Sequence, residues 1–144
     1  MQIRPMTKED CEQVAAIEAA SFSVPWSLNA FTETVEKENF RYFVAEEEGE
    51  ILGYCGFLFV LDEAEIPNVC VKSSARKRGV GRQMMSVLMD EAKKLGMAVL
   101  YLEVRESNMP ARSLYLSLGF EENGIRKNFY EHPVEHAVLM SKTL

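Results

Sequence analysis

No uninterrupted apolar run approaches the roughly 18 residues that a membrane-spanning helix needs. The best candidate, Ile51 to Leu61, is short and interrupted by Gly53 and Gly56. Cysteine is scarce: Cys11, Cys55 and Cys70 form an odd set without C-x-x-C spacing, each inside an apolar segment, which points to reduced core residues rather than a disulfide framework. Basic residues are outnumbered, 16 against 22 acidic, and the net charge of -6 argues against a general nucleic-acid partner, because phosphate contacts need a basic surface. No repeat, low-complexity tract or Pro/Gly/Ser linker divides the 144 residues. With 47% hydrophobic and 26% charged residues, the expectation is one globular domain, 1–144. Met1 to Asp10 has no apolar run after its charges, so no secretory signal is read, and a cytoplasmic protein without a membrane partner is expected.

What is present is a sharp local departure from that acidic average. Lys72, Arg76, Lys77, Arg78 and Arg82 put five of the 16 cations within eleven residues. A focused anion site on an acidic body is the pattern. Around it the periodicities define an order of elements. Gln2 to Pro5 reads as a strand, and Thr7 with Asp10 as the start of a helix ending near Ala20. Ser27 can cap a second helix to about Glu36. Arg41 to Glu47 and Ile51 to Leu61 meet at Glu48-Gly49-Glu50 as a hairpin, and a third strand of this meander spans about Glu63 to Val71.

Val80, Met84, Val87, Leu88, Ala92 and Leu95 form one helical stripe ended by Gly96. The apolar run Val99 to Val104 then reads as a strand buried on both faces, pairing in parallel with the strand before the helix. Ala111, Leu114, Tyr115 and Leu118 mark a fourth helix closed by Gly119, and strands near Phe120 to Arg126 and Glu135 to Ser141 finish the chain. The fold class is therefore α/β, a mixed sheet with helices on both faces.

Arg76-Lys77-Arg78-Gly79-Val80-Gly81-Arg82 lies between a strand and the third helix. Backbone N–H groups that open a helix are unpaired and point outward at its positive end, and glycine lets a bulky anion approach them, a chemistry suited to pyrophosphate. A solvated basic turn is the plainer alternative. A Walker A loop would end in Gly-Lys-Ser/Thr, which is absent, and a G-x-G-x-x-G dinucleotide loop fails because Met84 holds the third small position.

These residues carry a resemblance. R-x-x-G-x-G between strand and amphipathic helix, a hydrophobic strand, Asn108, Tyr115 and Leu118-Gly119-Phe120 are similar to the GCN5-related N-acetyltransferase (GNAT) superfamily over essentially the whole chain. Pro25-Trp26-Ser27, Leu61-Asp62-Glu63-Ala64, Leu102-Glu103-Val104-Arg105 with Ser107-Asn108, and Arg126-Lys127-Asn128-Phe129-Tyr130 resemble its RimI-type ribosomal-protein-alanine N-acetyltransferases. The resemblance implies the GNAT fold: a mostly antiparallel mixed sheet of about seven strands with a central splayed parallel pair, and about four helices. It implies acetyl-coenzyme A as co-substrate, no metal, and the N-terminal alanine of a ribosomal protein as acceptor, with another protein N-terminus, a lysine or a small-molecule amine as the alternative. Arg76, Lys77, Arg78, Gly79, Val80, Gly81 and Arg82 would hold the pyrophosphate. Val69, Cys70 and Val71 would pair with the pantetheine arm, and Asn108 would contact the coenzyme. The Glu131 to His136 segment departs from the RimI-type pattern, which bears on the acceptor pocket.

Each of these residues also has a plainer reading. Pro67 cannot donate to a ladder, so its strand is either an edge or is bulged away from its parallel neighbour, opening a slot for an amide-bearing arm. Glu103 stands in an apolar run where burial would raise its pKa toward that of a general base; alternatively it reaches solvent or pairs with Arg105 or Arg112. The resemblance makes Glu103 that base and Tyr115 the general acid facing the thioester sulfur. By spacing alone Tyr115 is a core aromatic. Tyrosine near 10 against a thiol near 8.5 makes full proton transfer uphill by roughly 2 kcal/mol, so hydrogen bonding to the departing thiolate is the better description. Trp26 and Tyr130 are candidates for the acceptor side, Trp26 equally for stapling two helices. His132 and His136 flank Pro133 and complete no metal set, and Cys70 is distant in sequence from both histidines.

Overall fold

The computed structural model describes residues 1–144 as one mixed sheet of seven strands in the order β1-β2-β3-β4-β5-β7-β6. The strands are β1 Gln2–Pro5, β2 Phe40–Glu47, β3 Glu50–Val60, β4 Glu63–Val71, β5 Val99–Arg105, β6 Glu121–Tyr130 and β7 Glu135–Thr143. The helices are α1 Cys11–Ser21, α2 Leu28–Val35, α3 Val80–Lys94 and α4 Met109–Ser117. Local chemistry sets these boundaries. Ser27 Oγ accepts from Ala30 N–H at 3.1 Å to start α2. Glu48 and Gly49, both left-handed with φ of 52° and 82°, make the tight reversal that matches the twist of β2 and β3.

The sheet separates two apolar layers. Phe43, Leu52 and Phe57 face α3 through Met84 and Leu88, with Tyr115 of α4 on the same side. Tyr42, Val44 and Tyr54 face α1 and α2 through Val14, Ile17 and Phe31. Alternate residues of β2 and β3 thus feed opposite layers, as the period of two requires.

β5 corrects one expectation. It is buried on one face only: Leu100, Leu102 and Val104 point into the core, while Tyr101 and Glu103 are exposed. The reason is coverage. Helices α1 and α2 lie over β2, β3 and β4 and stop short of β5, so the second face of β5 has no lid. β4 pairs antiparallel with β3 and parallel with β5, and the parallel ladder runs only from Glu63↔Val99 to Ile66↔Leu102. Pro67 follows at once, and opposite it the β3–β4 register shifts between Gly56 and Leu58. The proline is therefore in a central strand, not an edge, and beyond it β4 and β5 part.

Candidate active site

Two clefts meet where those strands separate. One, of about 780 Å³, runs from the gap between Val69 and Val104 past Asn108 and Tyr115 to Trp26. The other, of about 720 Å³, lies over the uncovered face of β5 and is lined by Leu58, Val60, Glu63, Glu65, Tyr101 and Leu139 among others. Both share Ile66, Pro67, Leu102, Glu103, Phe129 and Tyr130. The last paired residues of the parallel ladder are thus the junction of the two clefts.

Backbone parity decides which part of β4 serves the first cleft. Lys72 N–H donates to Leu52 O of β3 at 2.7 Å, so the polar groups of Cys70, two residues back, also turn toward β3 and those of Val69 and Val71 turn toward the gap. Arg76 Nε occupies the Val71 carbonyl at 3.1 Å, which leaves Val69 with its N–H and C=O free on that edge. Cys70 itself packs, buried and reduced, in the layer beneath α1.

At the start of α3, Lys77 and Gly79 both adopt left-handed conformations, with φ of 64° and 77°. Gly79 is the N-cap, has no side chain to bond the first amides, and would leave any Cβ in open space. Gln83 N–H to Gly79 O, at 3.1 Å, is the first intrahelical bond, so the N–H groups of Val80, Gly81 and Arg82 have no acceptor within the helix. The side chains contribute less free charge than the sequence suggests. Arg78 pairs with Glu47 at 2.8 Å, Lys72 with Glu50 at 2.5 Å, and Arg82 donates to Ser117 Oγ at 2.6 Å. Only Lys77 of this group is unengaged. Arg78 also holds the Glu47 carboxyl below its usual range. What this turn could offer an anion is chiefly oriented amides.

Glu103 stands at the junction with its side chain 33% exposed, and Arg126 Nη1 on β6 donates to its Oε1 at 3.2 Å. The apolar burial expected from the sequence is absent, and its partner is neither Arg105 nor Arg112, which pair with Glu135 and Glu122. Tyr115 is 6% exposed, and desolvation pushes its hydroxyl well above the usual tyrosine range. No protein group hydrogen-bonds that hydroxyl, and no buried side-chain polar atom lacks a partner, so it is open to the cleft it lines. Tyr130, edge-on to Phe129 and stacked under Arg105 at 4.6 Å, has its pKa pushed up to about 12, first by burial and then by the charge of Glu103. Asn108 caps α4 by accepting from Ala111 N–H at 3.3 Å, and it lines the cleft. Trp26 packs on Phe31 at 5.3 Å, as a residue stapling the helices would, and it also lines the cleft. His136 Nδ1 accepts from Asn128 N–H at 3.0 Å, pinning the bulge that ends β6, and the residues His132 and Pro133 form the cleft rim.

Two groups at the site were not foreseen. Arg105 holds the divergent β6–β7 connection, reaching Glu135 at 3.2 Å, the Pro133 carbonyl at 3.0 Å and the Glu131 carbonyl at 2.9 Å. Glu18, 2% exposed, lies in the wall of the first cleft against Tyr54, Asn68 and Trp26. A signal for it existed: Cys11, Val14 and Glu18 share the i, i+3, i+7 spacing of a buried helical face, where a carboxylate needs dedicated donors.

The acetyltransferase (GNAT) family model matches residues 11–120. The ribosomal protein bS18-alanine N-acetyltransferase of Haemophilus influenzae is 36% identical over 135 residues, 92% of this chain and 91% of that protein. The Escherichia coli (strain K12) protein of the same name is 39% identical over 114 residues, 79% of this chain and 76% of that one. A crystal structure of the ribosomal-protein-S18-alanine N-acetyltransferase from Escherichia coli superimposes with a TM-score of 0.91 at 34% identity, covering 99% of this chain and 92% of the other.

Proposed function

The chain belongs to the GNAT family of acetyltransferases, and from that premise we propose that it acetylates the α-amino group of an N-terminal alanine on a ribosomal protein. It is an N-acetyltransferase, and acetyl-coenzyme A supplies the acetyl group as an activated thioester. The residues present fit that donor: three helix-opening amides suit its diphosphate, and the free edge of Val69 suits the amides of its arm. All 144 residues act as one catalytic domain.

The observation that carries the reading is the junction. An amine in the cleft over β5 and a thioester in the cleft between β4 and β5 meet at the lining the two clefts share, where Glu103 is the one carboxylate. Glu63, Glu65 and Glu103 give the acceptor side negative charge against an apolar wall of Leu58, Val60 and Tyr101, suiting a cationic N-terminus and an extended segment behind it. An N-terminal ammonium has a pKa near 8, so roughly a tenth is neutral at pH 7 and modest base assistance suffices. Glu103 takes the proton, directly or through water, as the nitrogen attacks; Arg126 steadies the carboxylate from its other side. Tyr115 donates a hydrogen bond to the departing sulfur. Both ligands are held together and no side chain is acylated.

The test is a mass-spectrometric panel of an Ala-starting peptide, free lysine and spermidine with acetyl-coenzyme A, run for wild type and Glu103→Gln. Expected is acetylation at the peptide α-amine alone, with kcat/KM falling about a hundredfold or more in the variant while coenzyme affinity stays within about twofold. Preferential acetylation of lysine or spermidine would sink the reading.

A further inference from the structure

Glu18 sits on the last turn of α1, and all its polar contacts are donors to its carboxylate. Oε1 accepts from the Tyr54 hydroxyl of β3 and from Asn68 Nδ2 at 3.2 Å. Oε2 accepts from the backbone N–H of Trp26 at 2.9 Å and from Asn68 Nδ2 at 3.4 Å. No lysine or arginine pairs with it; those within ion-pair distance of carboxylates pair with other residues. Asn68, 4% exposed, is the residue next after Pro67, where β4 leaves β5, and its Oδ1 accepts in turn from the Tyr42 hydroxyl at 2.6 Å. One carboxylate therefore ties the loop bearing Trp26 to the splayed segment of β4.

An acidic side chain buried without a counter-ion costs stability that an apolar residue on the same helical face would not. Neither proton transfer nor coenzyme binding as described above uses it. We propose that Glu18 is a positioning residue: it clamps Trp26 and Asn68 in one register, so that the Phe22 to Trp26 wall stands at a fixed distance from Glu103 and Tyr130 and meets the first residue of the acceptor as it crosses the junction from the cleft over β5. The role in acceptor binding rests on the proposed function; the clamp on Trp26 does not. A glutamine at this position fits the space but presents an amide where at least one fixed donor, Asn68 Nδ2 or the Trp26 N–H, needs an oxygen.

Trp26 is the only tryptophan, so its fluorescence reports the clamp directly. In Glu18→Gln, acrylamide quenching of Trp26 is expected to rise roughly twofold as the loop loosens. The KM for the Ala-starting peptide is expected to rise about tenfold, with kcat and coenzyme affinity within about twofold. Tyr54→Phe removes one donor without changing shape, and carries the same test in smaller measure should Glu18→Gln not fold. Quenching equal to wild type in the folded variants overturns the proposal. So does a parallel loss of kcat, coenzyme affinity and peptide affinity, the mark of general loosening. If wild type fails to acetylate the peptide, the acceptor assignment falls, and the quenching still judges the clamp.

Discussion

Tyr115 shows how one environment limits what a side chain can do. Its ring closes the layer beneath α3, in contact with Phe120 at 5.9 Å, and the same burial that makes it a core residue raises its pKa. That shift enlarges the uphill gap to a departing thiolate, which began at roughly 2 kcal/mol, so in the proposed reaction Tyr115 would keep its proton and stabilise the sulfur by hydrogen bonding. Tyr115→Phe should therefore lower kcat by about ten- to a hundredfold, less than the loss of a full general acid, with coenzyme affinity almost unchanged; steady-state kinetics and a coenzyme titration check this. A loss in coenzyme affinity as large as that in kcat would instead assign Tyr115 to binding. The spacing of Ala111, Leu114, Tyr115 and Leu118 located the ring but not the open hydroxyl, which depends on β4 and β5 having parted in front of it.

Among the elements, β1 depends most on a single cluster, being four residues long at the sheet edge. Arg4 Nη1 and Nη2 donate to the two carboxylate oxygens of Asp10 at 2.8 Å each, Arg4 also reaches Glu46 at 2.5 Å, and Thr7 N–H donates to Asp10 at 2.8 Å. This ties β1, the turn before α1 and β2 together. Hydrogen bonding from Arg4, partly opposed by desolvation, lowers the pKa of Asp10 from its ordinary 3.8. A depressed carboxylate contributes stability that is complete above its unfolded value and is lost as pH falls through the lower folded value. Asp10→Asn should cost about 1–2 kcal/mol near neutrality. In urea unfolding, the gap between wild type and variant should narrow as pH drops below 3.8; a gap unchanged there would show that packing, not charge, is lost. The Thr7 to Asp10 spacing announced a helix start, and it is realised as a capping box on a short 3₁₀ turn. Arg4 meets Glu46 only because β1 pairs with β2.

Taken as a whole, the molecule has two apolar layers that share one sheet, with Tyr54 on one side and Cys55 on the other. Neither layer can lose its sheet face without exposing the other, so the chain should unfold in one transition, Trp26 fluorescence and far-ultraviolet circular dichroism giving coincident curves. Separate midpoints would divide the proposed single domain. Most of this architecture was legible along the chain, because helical and strand periods, the Glu48-Gly49 reversal, the proline that breaks a ladder and the glycine that starts α3 are constraints among neighbours. Coverage and partnership are not. Whether Glu103 would be buried depended on where α1 and α2 ended across the sheet. That it meets Arg126, 23 positions away, and that Glu18 meets Asn68, 50 positions away, followed from strand order. A side chain's conformation is biased by the few residues beside it, whereas its dielectric surroundings and its partner are set by segments that reach it only when the sheet closes.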